Sequence, residues 1–216
     1  RGRARGARPK QRGRARRVVI THWDKDHWGG LPAILQRIPV RRLFVAKGAV
    51  DAMPKDIDAS SFEDIVELGL GDSIAIGSFT CDVVWPQEDV SGEENGDSTC
   101  LVVTYDHGGR SLRCLLTGDT ELDQERAYQR DVGNIDVLKL GHHGSGLSVD
   151  GDLLKAIDPE VSIASAGRGN SYGHPSQECV DCVRSYGSQF YCTIDYGDVC
   201  IEPWQGAVKI RCSRNL

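Results

Sequence analysis

The segment Thr21-His22-Trp23-Asp24-Lys25-Asp26-His27-Trp28-Gly29-Gly30 gathers two imidazoles and two carboxylates within six residues, directly after an apolar β-type run and directly before a helical one. Imidazole and carboxylate are the side chains that bind divalent cations. A turn at a strand end can send His22 and Asp24 to one ion while Asp26 and His27 face a second, and the glycines let the backbone turn sharply after them. The alternative, a solvated polar loop with hydrogen-bonded histidines, fits four ligand types at this spacing poorly.

Three further strings repeat the theme of a strand ending in polar groups. Leu115-Leu116-Thr117-Gly118-Asp119-Thr120 ends an apolar run in Gly-Asp before a helix, where Asp119 is either a helix cap or, beside the first motif, a bridging metal ligand. Asp136-Val137-Leu138-Lys139-Leu140-Gly141-His142-His143-Gly144-Ser145 supplies adjacent histidines, one expected to ligate and the other to act on substrate or support a ligand. Asn170-Ser171-Tyr172-Gly173-His174-Pro175 reads either as an ordinary turn before a helix or as a fourth contributor.

The elements that must position these groups alternate in type. Strands are predicted at 18–21, 43–46, 73–76, 80–85, 101–105, 112–117, 136–140, 161–165, 189–194, 199–202 and 208–212, and helices at 31–37, 62–68, 122–130, 151–157 and 177–186. Residues 87–99, rich in Glu, Asp and Gly, read as a polar loop. Asp106-His107-Gly108-Gly109 reads as a hairpin turn that leaves His107 on the surface. No internal repeat is visible.

A chain of 216 residues, 39% apolar and 26% charged, is long enough for one core and too ordinary in composition for a collagen-like or coiled-coil protein. No apolar run approaches the ~18 residues of a membrane span. The net charge of −5 hides an asymmetry: residues 1–17 hold eight Arg and one Lys without an acid, leaving 17 basic against 31 acidic residues, or −14, in the rest. An acidic body of that kind does not bind nucleic acid through a broad basic face, so phosphate chemistry on it requires metal ions. The chain begins at Arg1 without an apolar leader, and the natural start is expected upstream. Residues 1–17 are expected to be a disordered Arg/Gly segment preceding a domain at 18–216, either a nucleic-acid tail or the product of a wrong start or reading frame. The eight scattered cysteines do not fix a redox compartment. Cys179 and Cys182 with Cys192 and Cys200 could form a thiolate zinc site, although irregular spacing favours Cys as a small core hydrophobe. Trp23 and Trp28 either stack on bases or wall the site.

Together the four strings, THxDxDHxGG, LLTGD, LKxxHHGS and NxYGHP, resemble the metallo-β-lactamase-fold domain at the C-terminus of the ComEC DNA-uptake family, over residues 18 to about 202. Asn95-Gly96-Asp97-Ser98 resembles that family's Asn and Ser segment. The resemblance implies an α/β, four-layer αββα fold of two mixed sheets and a dinuclear site. It implies that His22 and Asp24 serve one metal, Asp26 and His27 the other, that Asp119 bridges, and that His142 or His143 completes the set, with His142 taken as the ligand. Asp stands where most hydrolases of this fold carry a second His, a harder site that suits Mn²⁺ or Mg²⁺, with Zn²⁺ ranked after Mn²⁺. Asp26 would orient or deprotonate water, while Lys139, His143 and His174 would neutralise charge on phosphoryl oxygens. The implied reaction is hydrolysis of DNA, one strand being degraded during uptake at the outer face of the cytoplasmic membrane, with a membrane channel domain as partner. The alternatives are a hydrolase of another phosphodiester or ester, and a silent DNA-holding module. A complete domain of the family begins with additional strands where this chain has its Arg/Gly run, so the first sheet is expected to lack N-terminal strands and expose an edge.

Overall fold

The computed structural model describes residues 16–204 and 207–214. The expected disordered segment lies outside these except for Arg16 and Arg17, which are strand residues paired with Val40 and Arg42. Three strands, β1 (Arg16–Val19), β2 (Val40–Ala46) and β3 (Asp64–Leu68), form a sheet in the order β1-β2-β3. Among the described residues its pairings are all parallel, not mixed as expected. β3 replaces the helix predicted at 62–68. The adjacent β-branched Ile65 and Val66 pair with Leu43 and Phe44 of β2, and Val66 joins a cluster around Phe44 between the sheets, which outweighs a helical reading of the acidic positions.

Seven strands form the second sheet, in the order β10-β9-β8-β7-β6-β5-β4: β4 (Ser73–Ile76), β5 (Phe79–Trp85), β6 (Cys100–His107), β7 (Arg110–Leu116), β8 (Val137–Lys139), β9 (Val161–Ala164) and β10 (Gln189–Cys192). β4 to β7 are antiparallel and β7 to β10 parallel: tight turns join β4 to β5 and β6 to β7, a longer loop joins β5 to β6, and a helical crossover makes each of the parallel connections. Gly108 and Gly109, both at positive φ, make the expected two-residue turn between β6 and β7, and His107 is exposed.

Apolar alternation assigns each face a partner. Phe44 and Leu68 of the first sheet meet Ile74, Cys81, Val83 and Leu101 of the second, so the sheets lie face to face. Trp23, Trp28 and Leu31 pack with Leu43 and Val45 on the other face of the first sheet; they belong to or flank α1 (Lys25–Trp28) and α2 (Leu31–Leu35). On the outer face of the second sheet, Leu115, Leu138 and Ala164 pack against α3 (Leu122–Val132), α4 (Gly151–Ile157) and α5 (Gln177–Tyr186). A hairpin of β11 (Val199–Trp204) and β12 (Ala207–Cys212) sets Ile201 and Ile210 against Leu112, Val137 and Ile163. The result is the expected four-layer αββα arrangement. A further short helix, α6 (Thr193–Tyr196), follows β10, where the strand was expected to continue.

The thiols belong to the core. Cys100, Cys179 and Cys192 are buried and Cys182 packs against the same cluster, while Cys200 is exposed on the hairpin. Burial pushes Cys100 and Cys179 up to about 12, so both are protonated, the form least suited to metal ligation.

Candidate metal centre

Three chain segments meet at the ends of β1, β7 and β8. After β1 the chain runs directly into the first motif, where Asp24 is the extended residue preceding α1 but makes no side-chain cap bond, leaving its carboxylate free. A Cβ on Gly29 would collide with the Lys25 carbonyl, so glycine is required there for the α1 turn to close, whereas Gly30 has open space around it. After β7, Gly118 takes φ +56°, and a Cβ there would lie 2.6 Å from Ser98 Cβ. That close approach lets Ser98 Oγ accept the Asp119 backbone N–H at 3.0 Å, which aims the buried carboxylate inward. After β8, His142 and His143 both adopt left-handed backbone, φ 42° and 56°. Such conformations cost of order 1–3 kcal/mol each and persist where the surroundings over-determine them.

The histidines share one orientation. The Thr21 hydroxyl lies 3.1 Å from both His22 Nδ1 and His27 Nδ1, and Ser98 Oγ lies 3.1 Å from His22 Nδ1. His143 Nδ1 donates to the Ser165 carbonyl at 2.7 Å. Each ring is therefore anchored through Nδ1 and presents Nε2 to the same space, the arrangement common among metal-ligating histidines. His27 Nε2 and His143 Nε2 each lie 3.1 Å from Asp119 Oδ2, His143 Nε2 also lies 3.1 Å from Asp26 Oδ2, and the two Nε2 atoms are 3.4 Å apart. His22 Nε2 is 3.7 Å from Asp24 Oδ2.

Two donor groups result, His22 with His27 and Asp119, and Asp26 with His27 and His143. They share His27. Two buried polar atoms within them, His22 Nε2 and Asp119 Oδ1, have no hydrogen-bond partner among the described residues, and such atoms are costly unless something satisfies them. A divalent cation does so, and the donor set fits one. Burial would raise the Asp119 carboxyl, yet hydrogen bonds from His143 and His27, with the Lys139 charge, outweigh it and hold the group well below the usual carboxylate range. Burial, with the neighbouring His27, lowers His22 and so favours its neutral form.

The structure separates the adjacent histidines differently from the expectation. His143 joins a donor group, while His142 belongs to neither: its Nδ1 donates to Glu121 Oε1 at 2.9 Å, which also accepts from Ser145 Oγ at 2.9 Å, and its Nε2 lies 3.4 Å from the Asn95 amide. The left-handed backbone at both positions turns the two rings to different partners, which spacing alone does not show. Lys139 is half-buried and donates to the Gly118 carbonyl at 2.8 Å, 3.7 Å from Asp119 Oδ1, so it braces the Gly118-Asp119 turn. His174 stands beside His142, ring centroids 5.2 Å apart. Trp23 and Trp28, 8% and 6% exposed, give their indole N–H groups to the carbonyls of Ala49 and Trp23; they are packing residues beneath the motif and offer no stacking face. Sequence reasoning assigned no role to Thr21, Ser98 and Glu121. The Asn95-Ser98 string before β6 was the available signal for Ser98, and Glu121, two residues past Asp119, was the signal for its own role.

A Bacillus subtilis protein named ComE operon protein 3 is 34% identical over 176 residues, covering 78% of this chain and 22% of that protein. Competence protein ComA of Neisseria gonorrhoeae is 30% identical over 196 residues, covering 89% of this chain and 26% of its own length. The chain thus spans about a quarter of the length of these curated relatives. Among solved structures, the metallo-beta-lactamase fold protein YhfI from Bacillus subtilis superposes with a TM-score of 0.54 at 11% identity, covering 90% of this chain and 77% of that one, which shows the shared fold. Residues 4–168 match the family described as the Metallo-beta-lactamase superfamily, and with the αββα layers and clustered donors in place, the chain belongs to that superfamily.

Proposed function

We propose that this domain is a metal-dependent phosphodiester hydrolase that cuts DNA during uptake. The observation that supports it best is the pair of donor groups meeting at His27, which combine three imidazoles with the carboxylates of Asp26 and Asp119 in an acidic body, in a chain related to a competence protein. His22 and Asp24 would hold one divalent ion and Asp26, His27 and His143 the other, with Asp119 serving both, and with Mn²⁺ ranked first, then Zn²⁺, then Mg²⁺, on ligand hardness. When bound, the ions supply charge neutralisation on the phosphoryl group and activation of water.

The protein's own groups do the rest. Asp26, exposed at the rim, accepts a proton from the attacking water or orients it. His142, fixed by Glu121, and His174 beside it would donate to phosphoryl or leaving-group oxygens as charge builds there. Lys139 acts through Asp119, which it holds ionised. Its expected direct contact with substrate is replaced by that bracing role.

By likeness to the competence proteins, the domain would work beside a membrane channel domain at the outer face of the cytoplasmic membrane. No helix among the described residues is long and apolar enough to cross a membrane. The test is a side-by-side assay of DNA, a cyclic dinucleotide and a chromogenic phosphodiester with Mn²⁺, using the parent and Asp26→Ala. Cleavage of DNA that Asp26→Ala abolishes supports the reading. Preference for the cyclic dinucleotide would move the substrate, and inactivity on all three would leave a silent DNA-holding module.

A further inference from the structure

A cavity of about 460 Å³ opens beside the metal centre, lined by Asp26 and His143 on the side of the donors and by Tyr172, His174 and residues 165–167 elsewhere. Its size falls in the range of small-molecule sites, ~300–1,000 Å³, which accommodates a nucleotide. Tyr172 is 80% accessible, an unusual position for a large aromatic ring in a loop that is otherwise tightly tied. Asn170 makes the ties: its Nδ2 donates to the carbonyls of Gly167 at 3.0 Å and His174 at 2.7 Å, and its Oδ1 accepts the His174 N–H at 3.0 Å. The Tyr172 ring is thereby held within 12° of parallel to the His174 ring, centroids 6.1 Å apart. An exposed, oriented aromatic face thus lies across a cavity from groups suited to a phosphate.

A ligand that joins a flat ring to a phosphate matches that layout. We propose that the cavity is a nucleobase subsite in which Tyr172, backed by His174, stacks the base of the nucleotide next to the phosphate that Asp26 and His143 face. This rests on the phosphodiester reading above and sharpens it. A base inside a duplex is already stacked on both faces, so the subsite takes single-stranded DNA or frayed ends, and it tolerates any base because every base has a π-face.

The test measures binding of a fluorescein-labelled, cleavage-resistant phosphorothioate oligothymidylate and of its abasic counterpart, both with Mn²⁺, to the parent, Tyr172→Ala and Tyr172→Phe. Because Tyr172 is exposed, neither substitution disturbs packing. Tyr172→Ala is expected to weaken the base-bearing strand about 5- to 150-fold, the equivalent of the ~1–3 kcal/mol that stacking one base supplies. It should leave the abasic strand within about 2-fold, since phosphate contacts do not involve the ring. Tyr172→Phe should bind like the parent. An equal loss on both strands, no loss on either, or failure of the parent to bind the base-bearing strand overturns the subsite. Cleavage of an unmodified strand by the parent is read separately, so base-selective binding without cleavage would retire the hydrolase reading and leave the subsite standing.

Discussion

Asp119 sits where the histidines and the lysine of the centre converge. It is buried, it faces His27 and His143 through one oxygen, and its other oxygen accepts no hydrogen bond among the described residues and has the Lys139 ammonium 3.7 Å away. Residues that merely support metal ligands typically cost 10–100-fold when altered, so Asp119→Asn, which keeps the shape and removes the charge, should lower turnover by more than about 100-fold. Steady-state rates with Mn²⁺, beside a circular-dichroism check of folding, decide this. The adjacent histidines offer a sharper contrast. His143→Ala should reduce the number of divalent ions bound, whereas His142→Ala should leave that number unchanged and lower turnover, as metal analysis by plasma mass spectrometry alongside rates would show. Equal metal loss in both variants would mean that the anchoring of His142 on Glu121 does not exclude it from the centre.

At the scale of elements, the turn from β7 into α3 positions Asp119. Gly118→Ala adds a Cβ against Ser98 in a left-handed conformation, and should cost roughly 1–3 kcal/mol of stability while weakening metal binding, measured by denaturant unfolding and metal titration. Behind that turn, α3 carries Glu125, fully buried, with neither carboxylate oxygen partnered among the described residues. Burial raises its pKa well above the ordinary 4.5. The folded protein therefore binds this proton more tightly than the unfolded chain. The stability Glu125 contributes is complete below pH 4.5 and is lost as pH rises towards the folded value. Glu125→Gln stays neutral throughout, so in EDTA its melting temperature should exceed the parent's at pH 8, and the gap should close below pH 4.5. Elements such as α4 and α5 are legible in the sequence because Asp150 and Ser176 cap their first turns and Gly187 ends the second. β3 is not legible in that way: Phe62 to Leu68 suits a helix locally, and its strand form is decided by pairing with β2, a contact that depends on the rest of the fold.

For the whole molecule, the four strings that the sequence marks at 21–30, 115–120, 136–145 and 170–175 all converge on one edge of the two sheets, because each follows or adjoins a strand whose end lies there. Residue types were therefore readable, and so was their meeting place. The division of labour was not: which histidine turns inward, whether Lys139 faces substrate, and whether Trp23 or Tyr172 offers a ring all depend on backbone conformation and on partners distant in the chain. The central proposal is a two-ion centre that breaks phosphodiester bonds in DNA. The most direct test is to add Mn²⁺ stepwise to the chelator-stripped protein while following cleavage of a 5′-labelled single-stranded oligonucleotide. Cleavage should be absent at the start and should level off near two equivalents of Mn²⁺ per chain. Cleavage by the stripped protein, a plateau at one equivalent, or no cleavage at any Mn²⁺ concentration would contradict it.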